Sequence, residues 1–349
     1  MPVATVVIDA DVLGRHRTGD ESYVSGLLAE LSSDQTGLDL AAATRYPALV
    51  PAGVRAIAVR TTSQMLRLAV SLPRALQREH ASLAHFQYVI PPAWRGASVI
   101  TVHDLSFEAH PEFFSWGDQL FFRQLVPRAC RRADLVLTVS DHSKADLVER
   151  YRLPEHKVVV TPNGVDEEFG PEGPRHQGPP YLLFVGSLQP RKDPVCAVRA
   201  LALLDDDLRL VMAGPAKQAA GQVSQAIDRL GLGSRVDLLG HVSKHELGRL
   251  YRGAQCLVFP SRYEGFGLPA LEAMACGTPV VAARSSALPE VVGDAGVLFD
   301  PGDAGALADG VRRALAARDR LVAAGLERSR HFRWSDLAAT TLAVYKELL

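Results

Sequence analysis

The sequence predicts an α/β protein made of two doubly wound lobes, and three observations carry that reading. Short apolar runs alternate with helical stretches along nearly the whole chain, the pattern of parallel sheets built from βαβ units. A stretch dense in turn formers, Pro162-Asn-Gly-Val-Asp-Glu-Glu-Phe-Gly-Pro-Glu-Gly-Pro174 continuing to Pro179-Pro180, divides the alternation into two series. A chain of 349 residues is long for one core and comfortable for two. The expected division is a first lobe at 1–163, a linker at 164–180, a second lobe at 181–330, and a C-terminal helix at 331–349 that packs back on the first lobe.

The first lobe opens with Val3-Ala-Thr-Val-Val-Ile8, a β-branched run that reads as a strand over 3–10. A helix at 22–31 follows, then strands at 38–43 and 54–59, a helix at 63–78, and strands at 83–86 and 98–102. A long helical region at 118–131 leads to strands at 135–139 and 158–161. In the second lobe, runs at 181–185, 208–213, 235–239, 255–259, 279–282 and 296–299 read as strands separated by helices. The last helix, from Trp334, has no partner strand after it. Asp205-Asp-Asp207 is a short charge run before a strand and reads as a solvated turn.

Composition narrows the function classes. Hydrophobic residues make up 47% and charged residues 22%, ordinary for a globular protein, and a formal net charge of -1 offers no whole-chain attraction to nucleic acid or anionic membrane. Cys130, Cys196, Cys256 and Cys276 lie far apart without metal-type pairing and read as small buried residues in a reducing compartment. The N-terminus enters a strand almost at once, without the basic region of a signal peptide, and no run is long enough to span a bilayer. A cytoplasmic protein is expected, with peripheral contact at the inner membrane face as an added reading.

The most informative stretch is Tyr263-Glu-Gly-Phe-Gly-Leu-Pro-Ala-Leu-Glu272. Pro269 at a first helical position and Gly277 past the last helix former define a short helix, with Glu272 about one turn inside and Glu264 on the incoming loop. Helical side chains lean toward the N-terminus, so both carboxylates can face one ligand. Exposed amides of Gly265, Phe266, Gly267 and Leu268 favour an anion at the helix end, whereas two carboxylates oppose one. A ligand that satisfies both is mixed: a diphosphate for the amides and hydroxyl groups for the acids, as in a nucleotide sugar. Ordinary solvated glutamates are the plainer reading. The context of strand, loop, helix and strand, from Leu257-Val-Phe-Pro260 to Pro279-Val-Val-Ala282, weighs against it, because ligands in such sheets bind beyond strand carboxyl ends.

Other strand ends add candidates. Gly186 opens a loop holding Arg191 and Lys192, a planar fork and a mobile point charge suited to a diphosphate; a solvated basic loop is the equal alternative. Gly240 and Val242 offer backbone groups to a base. His241 and His245 lack partners at metal spacing and receive no metal. His103 follows a strand and can hydrogen-bond a sugar hydroxyl or departing phosphate, with Asp104 orienting it, meeting an acceptor hydroxyl, or capping the next turn. In the loop after the first strand, Asp9 and Asp11 resemble a metal pair only superficially, and Asp11 is expected to order the loop. Arg15 and Arg17 can approach phosphate, and Asp20 or Glu21 caps the following helix. The full Gly-rich dinucleotide fingerprint is missing. Phe113, Phe114, Trp116, Phe121 and Phe122 gather near Arg123, Arg128, Arg131 and Arg132; core packing explains most of them, and an acceptor-side or membrane-facing surface is the sharper alternative.

Over nearly its whole length the chain resembles the retaining glycosyltransferases of family four. Glu264-Gly-Phe-Gly-Leu-Pro-Ala-Leu-Glu272 is similar to that family's two-glutamate motif. Gly186, Arg191 and Lys192 resemble its donor diphosphate loop, Asn163-Gly-Val-Asp166 its interdomain segment, and Thr18-Gly19 part of its N-terminal glycine loop. His103-Asp104, within His-Asp-Leu-Ser-Phe and followed by His110-Pro-Glu-Phe-Phe114, looks like the mannosyltransferase-type branch. Asp20-Glu21 departs from the pattern, since many relatives carry small or hydrophobic residues there. The resemblance implies the GT-B fold, two Rossmann-like lobes facing a central cleft, with a nucleotide-sugar donor held mainly by the second lobe and an acceptor (glycan, lipid-linked or small molecule) mainly by the first. It also implies no cofactor and no obligatory metal. Residue by residue, it implies that Arg191 and Lys192 stabilise the leaving diphosphate, Glu264 holds donor-sugar hydroxyls, Glu272 the ribose hydroxyls and His103 the far side of the sugar. The activity expected is transfer of a hexose, mannose from GDP-mannose being one reading, with retained anomeric configuration. A nucleotide-sugar epimerase or hydrolase, and a catalytically idle nucleotide-sugar-binding protein, are the alternatives.

Overall fold

A computed structural model of the chain describes residues 3–15, 18–33 and 37–349. It separates into two units, one formed by Met1–Gly164 with Arg333–Leu349 and the other by Val165–Phe332. The C-terminal helix, Trp334–Leu348, thus belongs to the first unit, where it packs on the helix Thr18–Ser33.

Among the described residues the first unit holds seven strands: β1 (Thr5–Asp9), β2 (Asp39–Thr44), β3 (Arg55–Ala58), β4 (Leu83–Gln87), β5 (Ala97–Thr101), β6 (Leu135–Thr138) and β7 (Val158–Val160). They pair in the order β3-β2-β1-β4-β5-β6-β7, all parallel. The second unit holds β8 (Tyr181–Val185), β9 (Arg209–Ala213), β10 (Val236–Gly240), β11 (Cys256–Phe259), β12 (Val280–Ala283) and β13 (Val297–Phe299), again parallel, ordered β10-β9-β8-β11-β12-β13. β8 and β11 are buried at every residue, because helices cover both faces of a parallel sheet; such strands read as unbroken apolar runs. Strand order reverses between β1 and β4 in one sheet and between β8 and β11 in the other. Each reversal opens a crevice beyond the strand carboxyl ends.

A buried chain of hydroxyls crosses the first unit. The Tyr345 hydroxyl lies 2.6 Å from His85 Nδ1, and His85 Nε2 lies 2.6 Å from Thr101 Oγ1. Thr101 donates to Tyr23 at 3.3 Å, Tyr23 pairs with Thr161 at 3.3 Å, and Thr161 donates to the Thr138 carbonyl at 3.3 Å. One direction of donation satisfies every member: Tyr345 to His85, His85 to Thr101, and onward to the carbonyl. That direction assigns His85 the neutral Nε2–H tautomer. Burial, reinforced by the nearby His103, holds its pKa down at about 3, so it stays neutral.

The helix expected at 63–78 is interrupted. Ser63 caps it, but residues Arg67–Ser71 form a π turn before Leu72–Arg78 resumes. Pro73 has no amide to close an α-type bond there, which accounts for the wider turn. The π turn delivers Arg67, fully buried, to Asp9, which it grips with Nη1 at 3.0 Å and Nη2 at 2.5 Å.

All four cysteines are free and buried, and burial pushes each thiol up to about 12. Among the described residues no helix is long and apolar enough to cross a membrane.

Candidate active site

In the second unit the loops after β8 and β11 leave adjacent strands on either side of the reversal, which is why residues far apart in sequence meet there. Gly186 (φ +147°) starts the first loop, and Gly214 (φ +151°) lies so close that a Cβ on it would sit 2.1 Å from the Gly186 carbonyl oxygen. Pro190–Lys192 makes a single tight turn, closed by Asp193 in left-handed conformation, whose carboxylate caps the helix Pro194–Leu201. The backbone ties the two loops together: the Arg262 amide donates to the Arg191 carbonyl at 2.8 Å, and Arg191 Nη1 donates to the Tyr263 carbonyl at 2.9 Å.

These ties bring Arg191, Lys192 and Glu264 into one cluster. Lys192 Nζ lies 2.5 Å from Glu264 Oε1, and Arg191 Nη1 lies 3.4 Å from Oε2. Lys192 also stands 5.2 Å from the centre of the Phe259 ring. Glu264 is only 6% exposed, and its amide donates to Ser286 Oγ at 2.7 Å. Burial works against its charge, but Lys192 first and Arg191 second outweigh it and hold the carboxyl below its ordinary pKa. Two cations around one carboxylate suit a dianion that brings hydroxyls with it.

The two-glutamate helix spans Leu268–Ala275, with Pro269 in its first turn and Gly267 (φ +117°) before it. A Cβ on Gly267 would come within 2.6 Å of Leu288 Cδ2. The amides expected to be exposed belong to residues that are mostly covered: Gly265, Phe266 and Gly267 are buried, and Leu268 is half-buried. The reason is packing, since Phe266 sits edge-on to Phe332 and Gly267 abuts Leu288. Glu272 is half-buried and accepts from the Tyr251 hydroxyl at 2.8 Å through Oε2. Burial is the largest influence on it and Asp166 adds to it; the Tyr251 bond and Lys244 oppose them, and the carboxyl is pushed up to about 7. The two glutamates are therefore driven in opposite directions, Glu264 firmly ionised and Glu272 poised near neutrality. Val242 is half-buried just beyond β10, after Gly240 in left-handed conformation.

In the first unit, buried His103 follows β5. Its Nε2 lies 2.9 Å from Gln87 Oε1 and 3.9 Å from Asp20 Oδ1, and its ring meets Tyr23 edge-on at 4.8 Å. Asp104 accepts from the Ser106 amide at 3.0 Å and the Ser106 hydroxyl at 2.7 Å, which is its turn-capping alternative. Glu21 accepts from the Gly14 amide at 2.7 Å and so ties the preceding loop to its helix. Asp11 orders that loop as expected, binding Arg45 at 2.8 Å and Arg15 at 2.8 Å; Arg15 is thereby held by a carboxylate. Gly19 is exposed in the first turn of its helix, and Arg17 lies outside the described residues. Most of the aromatic group is core: Phe114, Phe121 and Phe122 pack against it, whereas Trp116 is 78% exposed. Among the described residues no three His, Cys, Asp or Glu side chains gather to hold a metal.

Sequence reasoning missed Tyr251, Ser286 and Gln87. Ser286 and Gln87 both stand at strand carboxyl ends, a position that marks them; Tyr251 carries no such signal.

Residues 165–328 match the model of the glycosyl transferases group 1, and residues 21–169 that of Glycosyltransferase Family 4. The chain is 32% identical over 270 residues to the O-antigen chain mannosyltransferase B of Escherichia coli, covering 72% of this chain and 70% of that protein. It belongs to the family 4 glycosyltransferases. This glycosyltransferase is also 35% identical over 238 residues to the D-inositol 3-phosphate glycosyltransferase of Xylanimonas cellulosilytica, covering 62% of this chain but only 57% of that relative. Among solved structures, the sucrose-phosphate synthase of Thermosynechococcus elongatus superposes with a TM-score of 0.81 at 21% identity over 99% of both chains. Anabaena HepE in complex with UDP-glucose gives 0.76 at 19% identity, over 99% of this chain and 100% of that one. At these identities the likeness establishes the fold, GT-B. The reaction of this glycosyltransferase is transfer of a sugar from a nucleotide-sugar donor to an acceptor.

Proposed function

We propose that the enzyme transfers a hexose, mannose from GDP-mannose, to a hydroxyl of a glycan or lipid-linked acceptor with retention of anomeric configuration. The observation that carries the reading is the cluster of Arg191, Lys192 and Glu264 at the strand reversal of the second unit. A carboxylate flanked by two cations suits a ligand whose diphosphate takes the cations while its sugar hydroxyls donate to the acid. The mannose assignment draws on the E. coli relative and on the MMP alpha-(1->4)-mannosyltransferase of Mycolicibacterium hassiacum, 34% identical over 241 residues.

In this reading Arg191 and Lys192 bind the diphosphate and stabilise the charge that builds on it as the glycosidic bond breaks. Each such donor typically contributes about 10²-fold or more in rate. Glu264, kept ionised, holds donor-sugar hydroxyls, and Glu272 accepts from the ribose hydroxyls. The acceptor attacks from the face the diphosphate leaves, and a phosphate oxygen takes its proton, so no side chain need act as covalent nucleophile. His103, on the first unit, hydrogen-bonds the sugar or departing phosphate. No metal takes part. The enzyme works on the cytoplasmic side, and Trp116 with Arg128 and Arg131 makes peripheral contact with anionic lipid; Trp116→Ala should reduce co-sedimentation with such vesicles.

A melt screen of GDP-mannose, UDP-glucose and their nucleotides tests the reading. A donor in large excess over its Kd should stabilise the enzyme by roughly 3 kcal/mol. Proton NMR of the product then reports the anomeric configuration. Donor binding unaffected by Arg191→Ala, or an inverted product, would count against it.

A further inference from the structure

We infer that Tyr251 is a positioning residue for the donor: its hydroxyl fixes the Glu272 carboxylate and occupies Oε2, leaving Oε1 as the oxygen that accepts from the ligand. This rests on the reading of Glu272 as the acid that meets the ribose hydroxyls.

Tyr251 is fully buried on the helix Lys244–Gly253 and is itself anchored on two sides. Its ring meets Phe169 edge-on at 5.8 Å, and its carbonyl accepts from Thr278 Oγ1 at 2.5 Å. The bond to Glu272 at 2.8 Å therefore ties the carboxylate to a rigid part of the unit. Burial drives the phenol well above its ordinary pKa, so it remains a donor throughout the working range.

The other ionisable groups that act on Glu272 are Asp166, from the segment before β8, Lys244, in the first turn of the helix bearing Tyr251, and Cys276, just past the end of its own helix. Lys244 is bound to Asp166 at 2.5 Å, so that pair contributes little net charge, and the Cys276 thiol is neutral. Tyr251 is thus the main group favouring the ionised acid against burial. Only the ionised form offers acceptors without a competing donor. Loss of the phenol should both free the carboxylate to rotate and raise the pH needed to ionise it.

The test is Tyr251→Phe, which keeps the ring, assayed with GDP-mannose from about pH 6 to about pH 9. At about pH 7 the donor KM should rise roughly tenfold, the value of a hydrogen bond to a charged group. The increase should shrink as pH rises and Glu272 ionises in the variant too, with kcat changing less than KM. The same increase at every pH would reduce Tyr251 to a packing residue, and no increase would remove its role; either overturns the inference. Should the variant fail to fold, 3-fluorotyrosine at position 251, a stronger donor of nearly the same shape, still decides: it should lower the donor KM at about pH 7, whereas an unchanged KM overturns the inference. Glu272→Gln separates the two claims. If it binds GDP as wild type does, the ribose reading has failed; if it binds weakly while Tyr251→Phe tracks wild type at every pH, only the Tyr251 inference has failed.

Discussion

Mild acid should destabilise the first unit through a single side chain, His85. The residue is fully buried, with its ring nitrogens 2.6 Å from the Tyr345 and Thr101 hydroxyls, and burial lowers its pKa from 6.5 to about 3. In the unfolded chain the imidazole takes up a proton near pH 6.5; in the folded protein it does so only near pH 3. Because the folded pKa is the lower of the two, the stabilisation is complete above pH 6.5 and is lost progressively as pH falls toward 3. Integrating the difference gives a loss of ~0.8 kcal/mol at about pH 6 and ~2 kcal/mol at about pH 5. The assay is urea denaturation followed by circular dichroism, comparing wild type with His85→Gln at about pH 5, 6 and 7.5. The variant should start about 1–3 kcal/mol less stable, having lost the matched pair of hydrogen bonds. Its stability should then fall less with acid, so that the gap closes by ~2 kcal/mol between about pH 7.5 and about pH 5. Parallel profiles would show that His85 does not titrate as its burial requires, and would refute the reasoning.

Further outcomes are expected at the proposed donor site. Arg191→Ala and Lys192→Ala should each lower kcat about 10²-fold in initial-rate assays. Glu264→Gln removes the buried carboxylate that Lys192 and Arg191 share and should destabilise by about 3 kcal/mol. Added pyrophosphate should raise the melting temperature of that variant more than that of wild type; a smaller shift would contradict the charge argument. Gly214→Ala forces a Cβ against the Gly186 carbonyl in a backbone conformation that side chains rarely adopt. It should cost about 3 kcal/mol or more, displace the loop bearing Arg191, and weaken donor binding measured by titration.

Much of this architecture was legible in the amino-acid order because parallel strands covered on both faces must be apolar throughout. The runs at β8, β11 and β12 show this plainly. The helix Asp141–Tyr151, between β6 and β7, left a fainter trace: only Ser143, Leu147 and Tyr151, spaced four apart, are buried, and no apolar run announces it. The site was readable in part. Strand-end position and charge type singled out Arg191, Lys192 and Glu264, but that they meet depends on β8 lying beside β11, and strand order is not written in local pattern. Tyr251 and Glu272 lie on two helices separated by a strand, with no spacing rule between them. Asp104 illustrates the opposite limit, where local chemistry offered three uses and the bonds from Ser106, two residues on, show the turn cap in place.

The hydrogen bond between His85 and Tyr345 joins residues 260 apart. Everything from Val165 to Phe332 must therefore be synthesised before the first unit can close its buried hydroxyl chain. On the ribosome the second unit, continuous in sequence, can complete its core while the first still lacks the helix Trp334–Leu348. The second unit is then the first to mature, and the half begun earliest finishes last.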